Sequence, residues 1–111
     1  MGRTLAELAE AYFRRKGYRV ERDPILEGTS GLPYKFDFIV RKGREQRLVW
    51  VKDWRRTVGV NVVISADRAA MDIGLPNPII VSEKFSGHAR AYANRRGITL
   101  LTKREILRRL R

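Results

Sequence analysis

From position 47 to position 56 the chain reads Arg47-Leu48-Val49-Trp50-Val51-Lys52-Asp53-Trp54-Arg55-Arg56. β-Branched and aromatic residues crowd its first half, which predicts a strand over Arg47–Lys52. Alternation along that strand sends Val49 and Val51 to one face and Trp50 and Lys52 to the other. Just upstream, Lys42-Gly43-Arg44 reads as a turn, and Tyr34–Val40 as a second strand. Regular alternation there groups Tyr34, Phe36, Phe38 and Val40 against Lys35, Asp37 and Ile39. The two strands pair as a hairpin. Asp37 and Lys52, separated by 15 positions, then stand at facing strand ends. A carboxylate and an amine so placed have the chemistry to hold a divalent metal and orient a water for phosphodiester attack. A cross-strand salt bridge leaves the same trace.

On the N-terminal side, Leu5, Leu8, Ala9, Tyr12 and Phe13 form one apolar stripe, which predicts a helix over 4–16. Thr4-Leu5-Ala6-Glu7 fits a capping box, and Gly17 fits the position just past the helix end. Tyr18–Arg22 alternates like a strand that Pro24 ends or marks as an edge, and Glu27–Pro33 reads as a loop. On the C-terminal side, Val62, Val63, Ala66, Ala69, Ala70 and Ile73 fit a helical face within Val58–Ile73, with Gly74 capping it. Ile79–Val81 reads as a buried strand, and Ser86 caps a helix over Gly87–Arg96 that Gly97 ends. Ile98–Leu101 reads as a last strand. Thr102-Lys103-Arg104-Glu105 then repeats the capping-box pattern and opens a basic helix to Arg111. The order α-β-β-β-α-β-α-β-α predicts a single α/β domain over 1–111, with a central mixed sheet flanked by helices.

Of the 111 residues, 24 are Lys or Arg against 12 Asp or Glu, giving a net charge of +12. Eighteen of those cations are Arg, whose planar fork suits phosphate and stacks on bases. Residues 55–111 hold 12 basic and 4 acidic side chains, and from Lys84 onward the count is 9 to 1. An ion-paired, thermophile-like surface needs matching acids, which this part of the chain lacks. Clustered, unmatched basic charge is the footprint of a polyanion binder. The absence of Cys excludes disulfides, thiol nucleophiles and cysteine metal sites, and a single His88 excludes multi-histidine sites. His88 lacks a Ser or Cys partner for nucleophilic catalysis. The Gly28–Gly31 loop lacks the spacing and Lys of a P-loop. No apolar run approaches the roughly 20 residues of a membrane helix, and no signal-peptide pattern opens the chain, so no membrane partner and a cytoplasmic location are expected.

Three stretches together resemble the PD-(D/E)XK, or restriction-endonuclease-like, superfamily. They are an acid-bearing helix running into Lys16-Gly17-Tyr18-Arg19-Val20; Asp37, a hairpin and Val49–Trp54; and Ile79–Ser86 followed by Ala89, Ala93 and Gly97–Leu101. They look most like Mrr-type nucleases, with some likeness to archaeal Holliday-junction resolvases. The resemblance implies a Mg²⁺-dependent endonuclease. In that pattern Asp37 is a catalytic metal ligand, and Lys52 orients the water or stabilises charge. An acid belongs at position 50, where this chain has Trp50. Indole offers one N–H donor and no acceptor, so it cannot ligate Mg²⁺. Glu7 or Glu10 match the family's helix acid, and Glu27 or Asp53 are further candidates, although Glu7 also serves the capping box. Nothing in the sequence selects among them, and the expectation is a weakened or lost metal site.

Arg55, Arg56, Lys84, Arg90, Arg95, Arg96, Lys103 and Arg104 are the expected nucleic-acid contacts, with DNA favoured over RNA, and Trp54 is either a stacking residue or a core anchor. Three readings follow. The domain binds nucleic acid with little or no cleavage, it cuts with Asp37, Lys52 and a displaced carboxylate, or it is a non-catalytic subunit. A homodimer or a partner nuclease suits a two-site substrate.

Overall fold

Local signals set the ends of the helices. In this computed structural model, which describes residues 2–111, helix α1 (Leu5–Arg15) opens on the expected capping box. The Thr4 side chain accepts from the Glu7 N–H, and the Glu7 carboxylate accepts from the Thr4 N–H at 2.7 Å. Leu5, Leu8, Ala9 and Phe13 are its buried stripe. Gly17, at φ +92°, then turns the chain in the left-handed region that glycine enters without steric cost.

Strand β1 (Arg19–Arg22) is followed by two short strands, β2 (Leu26–Glu27) and β3 (Pro33–Tyr34), and then by β4 (Phe38–Lys42) and β5 (Glu45–Val51). Helix α2 (Val60–Ile73), β6 (Ile79–Ser82), α3 (Gly87–Arg96), β7 (Thr99–Thr102) and α4 (Lys103–Leu110) complete the chain. Five strands form one mixed sheet in the order β1-β4-β5-β6-β7. β1, β4 and β5 pair antiparallel, and β5, β6 and β7 pair parallel. Strands β2 and β3 form a separate antiparallel ribbon.

Period-two alternation divides the core. Phe38, Val40, Val49, Val81 and Leu101 pack with α1 and α4 on one face. Ile80, with Val63 and Ala66 of α2 and Ala89 and Ala93 of α3, packs on the other, where Ile39 and Leu48 meet Ala69 and Ala70. All four residues of β6 are buried, as a central parallel strand covered on both faces requires.

Two expectations are corrected. The strand expected over Tyr34–Val40 is broken, because Tyr34 pairs with Leu26 in the ribbon and β4 begins only at Phe38. As a result Tyr34 and Phe36 lie with Ile39 on the α2 face, opposite Phe38 and Val40. The cause is a polar clamp. Near the end of α2 the Asp72 carboxylate accepts from the Tyr34 hydroxyl at 2.7 Å and the Thr29 hydroxyl at 2.9 Å, and also from the Ser30 hydroxyl. Second, α2 begins at Val60 rather than Val58. Val58 is fully buried and bridges Phe85, with its N–H on the Lys84 carbonyl and its carbonyl accepting from the Ser86 N–H, each at 2.9 Å.

Helices α2, α3 and α4 each start just past the carboxyl end of β5, β6 or β7. Helix α1 runs away from that edge, and β1 returns to it. All four helix N-termini therefore gather at one end of the sheet. There the start of β4 and the end of β5 bring Asp37 and Lys52 together. No helix among the described residues is long and apolar enough to cross a membrane.

Candidate functional site

Asp37 is fixed from three directions. Its N–H donates to the Val49 carbonyl at 3.0 Å, its carbonyl accepts from the Asp23 N–H at 2.9 Å, and Oδ2 accepts from the Val51 N–H at 2.6 Å. Burial pushes its carboxyl up from the ordinary value, against the Val51 N–H and the positive charge of Lys52.

Lys52 is fixed through its backbone. Its N–H donates to the Val81 carbonyl and its carbonyl accepts from the Ser82 hydroxyl, both at 2.8 Å. Its Nζ lies 3.5 Å from the Trp50 ring centroid and 5.5 Å from that of Trp54. The Arg56 guanidinium carbon lies 4.2 Å from the other end of this array, the Trp54 centroid. Residues 50, 52, 54 and 56 thus alternate aromatic and cation along one line. Trp50 leans in turn on Phe36, ring centroids 5.6 Å apart. Burial pulls the Lys52 ammonium down from its ordinary value, while Asp37 opposes that shift. Among the described residues Asp37 and Lys52 form no ion pair within 4.0 Å. The cross-strand bridge is replaced by the indole contact.

Glu7 and Glu10 do reach the Asp37 side. They line a cleft of about 300 Å³ with Ala6, Arg22, Asp23, Asp37 and Phe38. Both are already engaged. Glu7 caps α1, and Glu10 accepts from Arg22 Nε at 2.7 Å and from Arg14 at 2.9 Å. The Arg22 hydrogen bond, aided by Arg14, holds the Glu10 carboxyl below its ordinary value. Asp23 is a member of this cleft that the sequence reading missed. Its signal was the Asp-Pro pair after β1, since Asp tolerates the φ of +47° found there. Glu27 is exposed on the ribbon, and Asp53 accepts from the Leu5 N–H at the start of α1, at 3.4 Å.

Among the described residues no three acidic or histidine side chains come together as a metal-holding group. Trp50 brings no oxygen, Glu7 and Glu10 are engaged by a cap and by arginines, and Asp37 keeps acceptor capacity beyond the Val51 N–H on its Oδ2. Mg²⁺ asks for oxygen ligands in near-octahedral array at about 2.0–2.1 Å. Among the described residues no such set of oxygens is assembled.

The basic residues divide into two groups. Arg55, Arg56, Lys84, Lys103 and Arg104 follow the carboxyl ends of β5, β6 and β7, on the edge that carries Lys52. Arg90 lies early in α3, 5.8 Å from the Phe85 ring. Arg95 and Arg96 belong to the last turn of α3, at the opposite end of the sheet. Arg96 is also committed, with Nε 3.0 Å from Asp67, a carboxylate only 4% exposed that accepts from the Tyr92 hydroxyl as well. The structure does not bring these last two to the site.

Comparison with known proteins agrees with this architecture. No curated protein matches the sequence. Solved structures share the fold at low identity. A protein of unknown function, AF1548, superposes with a TM-score of 0.83 at 16% identity, over 93% of this chain and 63% of its own. A repair endonuclease from Pyrococcus abyssi gives 0.63 at 15%, over 92% of this chain and 47% of its own. EndoMS in a complex with double-stranded DNA gives 0.57 at 16%, over 92% and 46%. The chain thus spans about half to three-fifths of the length of these proteins. The family model Mrr_cat, described as restriction endonuclease, matches residues 1–110. On that match over almost its whole length, the chain belongs to the Mrr-type restriction endonuclease family, within the PD-(D/E)XK superfamily.

Proposed function

We propose that this domain binds DNA along the carboxyl edge of its sheet without a resident metal ion, and that its capacity to cut the strand is weak or lost. The observation that carries this reading is Trp50. It stands where the resemblance expects the family's second acid, and the Lys52 ammonium lies over its ring. Where a metal would offset negative charge, Lys52 supplies a fixed organic cation next to Asp37. A phosphate approaching that edge meets Lys52, then Arg55, Arg56, Lys84, Lys103 and Arg104, on a chain of net charge +12. Such contacts give affinity that falls steeply with salt and carry no sequence information themselves. The EndoMS neighbour solved with double-stranded DNA supports DNA as the polyanion.

The test is direct. Labelled duplex DNA is incubated with the protein in Mg²⁺, in Mn²⁺ and in EDTA, beside an Asp37→Ala control. The expected result is salt-sensitive binding that EDTA leaves intact, with the labelled strand as uncut as in the Asp37→Ala reaction. Metal-dependent cleavage that Asp37→Ala abolishes overturns the reading. It would favour instead an active endonuclease using Asp37, Lys52 and the carboxylates of the shared cleft. Absence of DNA binding near physiological salt would leave the role of a non-catalytic subunit beside an active nuclease.

A further inference from the structure

Two clefts at the carboxyl edge of the sheet, one holding Asp37 and one holding Trp54, differ in charge. The Asp37 cleft carries Glu7, Glu10, Asp23 and Asp37 beside a single Arg22. On the Trp54 side a groove of about 470 Å³ runs between the starts of α2 and α3. Its chemistry-bearing walls are Trp54, Arg56, Thr57, Asn61, Ser86 and His88, with no acid among its lining residues. Its volume falls in the roughly 300–1,000 Å³ range of small-ligand sites. An anionic strand crossing Lys52 is steered to this side.

The groove also contains a stacking surface that is already assembled. Arg56 holds its guanidinium carbon 4.2 Å from the centroid of Trp54, and Lys52 lies 5.5 Å from the same ring. There an aromatic face and a planar cation lie in contact on the groove wall. Bases stack on aromatic rings and on arginine planes whatever their sequence. A base inside a duplex has its faces covered by its neighbours, so such a plane serves a base that is out of the helix. Asn61 and His88, both exposed, line the same groove. Between them they offer donors and an acceptor for a base edge or its phosphate.

From this juxtaposition we infer that the groove holds one unpaired nucleobase of a DNA strand whose neighbouring phosphate lies at Lys52. The preferred substrate is then a duplex with a single-stranded extension or gap. This rests on the DNA-binding reading and sharpens it to a class of DNA structure.

The experiment uses the full chain in EDTA and three fluorescent probes: a blunt duplex, the same duplex lengthened by five paired nucleotides on one strand and their complements, and the blunt duplex carrying those five nucleotides unpaired. Anisotropy gives the affinities. The unpaired extension is expected to bind roughly tenfold tighter than the paired one, the effect of about one stacked base. Asn61→Ala with His88→Ala lowers that preference, read as the ratio of the two extension affinities, while leaving the melting temperature unchanged. Arg56→Lys, which keeps the charge and removes the plane, loses the preference too. Equal affinity for the two extensions, or a preference that these substitutions leave unchanged, overturns the inference while DNA binding stands. Failure to bind any probe overturns the DNA-binding reading, and the groove assignment with it.

Discussion

The ammonium nitrogen of Lys52 lies 3.5 Å from the ring centroid of Trp50, two positions earlier on the same strand face. A contact so close, partly shielded from water, is worth more than the ~0.5–1 kcal/mol of an exposed cation–π pair. The family pattern expects an acid at position 50; in this chain an indole ring stands there and carries the lysine ammonium.

Trp50→Glu tests whether the metal centre can be rebuilt. The change removes the packing of Trp50 on Phe36 and is expected to cost less than the ~3–5 kcal/mol of a fully buried Trp→Ala, since Trp50 is only partly buried. In return it sets a second carboxylate on the face of Lys52, near Asp37. Mn²⁺ should raise the melting temperature of Trp50→Glu and leave that of the parent chain unchanged. A Trp50→Glu protein indifferent to Mn²⁺ would mean that Asp37 no longer lies where two carboxylates can share an ion.

Lys52→Met separates charge from shape. Methionine fills the space between Trp50 and Trp54 and brings no charge. If Lys52 meets a phosphate, the substituted protein should bind DNA several-fold more weakly. The slope of log affinity against log salt should then fall by about 0.9, the share of one phosphate contact. An unchanged slope would place the bound strand elsewhere.

The legibility of the chain followed the range of its interactions. Thr4 with Glu7, Ser86, and Thr102 with Glu105 were readable because a cap joins residues three apart, and each caps a helix as expected. The faces of Val49, Trp50 and Val51 were readable because β5 is a regular ladder of seven residues. Strands β2 and β3 were not, since each has only two residues and the clamp that holds them, Asp72, lies 38 to 43 positions away from Tyr34, Ser30 and Thr29. The same distant clamp broke the alternation across Tyr34–Val40. Arg96 looked available for phosphate because Asp67 meets it only once α2 and α3 pack. Of the acids considered for Asp37, Glu7 and Glu10 share its cleft, Glu27 and Asp53 do not, and Asp23 was not foreseen. The cap of Glu7 on Thr4 was legible in the sequence, whereas the bond from Arg22 to Glu10 forms only once β1 folds back beside α1.

The ribbon clamp has a pH signature. Hydrogen bonds from Ser30, then Tyr34 and Thr29, lower the Asp72 carboxyl from 3.8 to about 2. Its folded value lies below its unfolded one, so its contribution to stability is complete above pH 3.8 and disappears as pH falls through 2. Asp72→Asn should therefore destabilise the protein at neutral pH and flatten the fall in melting temperature across that acid window. Gly28→Ala should act in the same place, because a Cβ there would overlap the Asp72 carboxylate. An acid limb identical in Asp72→Asn and the parent would show that the clamp contributes nothing to folding.

Arginines at the two ends of the sheet should behave differently. Replacing Arg55 and Arg56 by Ala removes two cations from the edge that carries Lys52. This should lower the salt slope of DNA binding by about 1.8 if both meet phosphates, with little change in melting temperature. Arg96→Ala removes a cation at the other end and strips Asp67 of one of its two partners. Leaving a buried carboxylate short of a charge-assisted bond costs roughly 1–3 kcal/mol. For a domain near 100 residues, each kcal/mol corresponds to about 4–8 °C in melting temperature. Arg96→Ala should thus melt several degrees lower yet keep the parent salt slope. The reverse pattern, an intact fold with a reduced slope, would move the DNA path to the far end of α3 and away from Lys52.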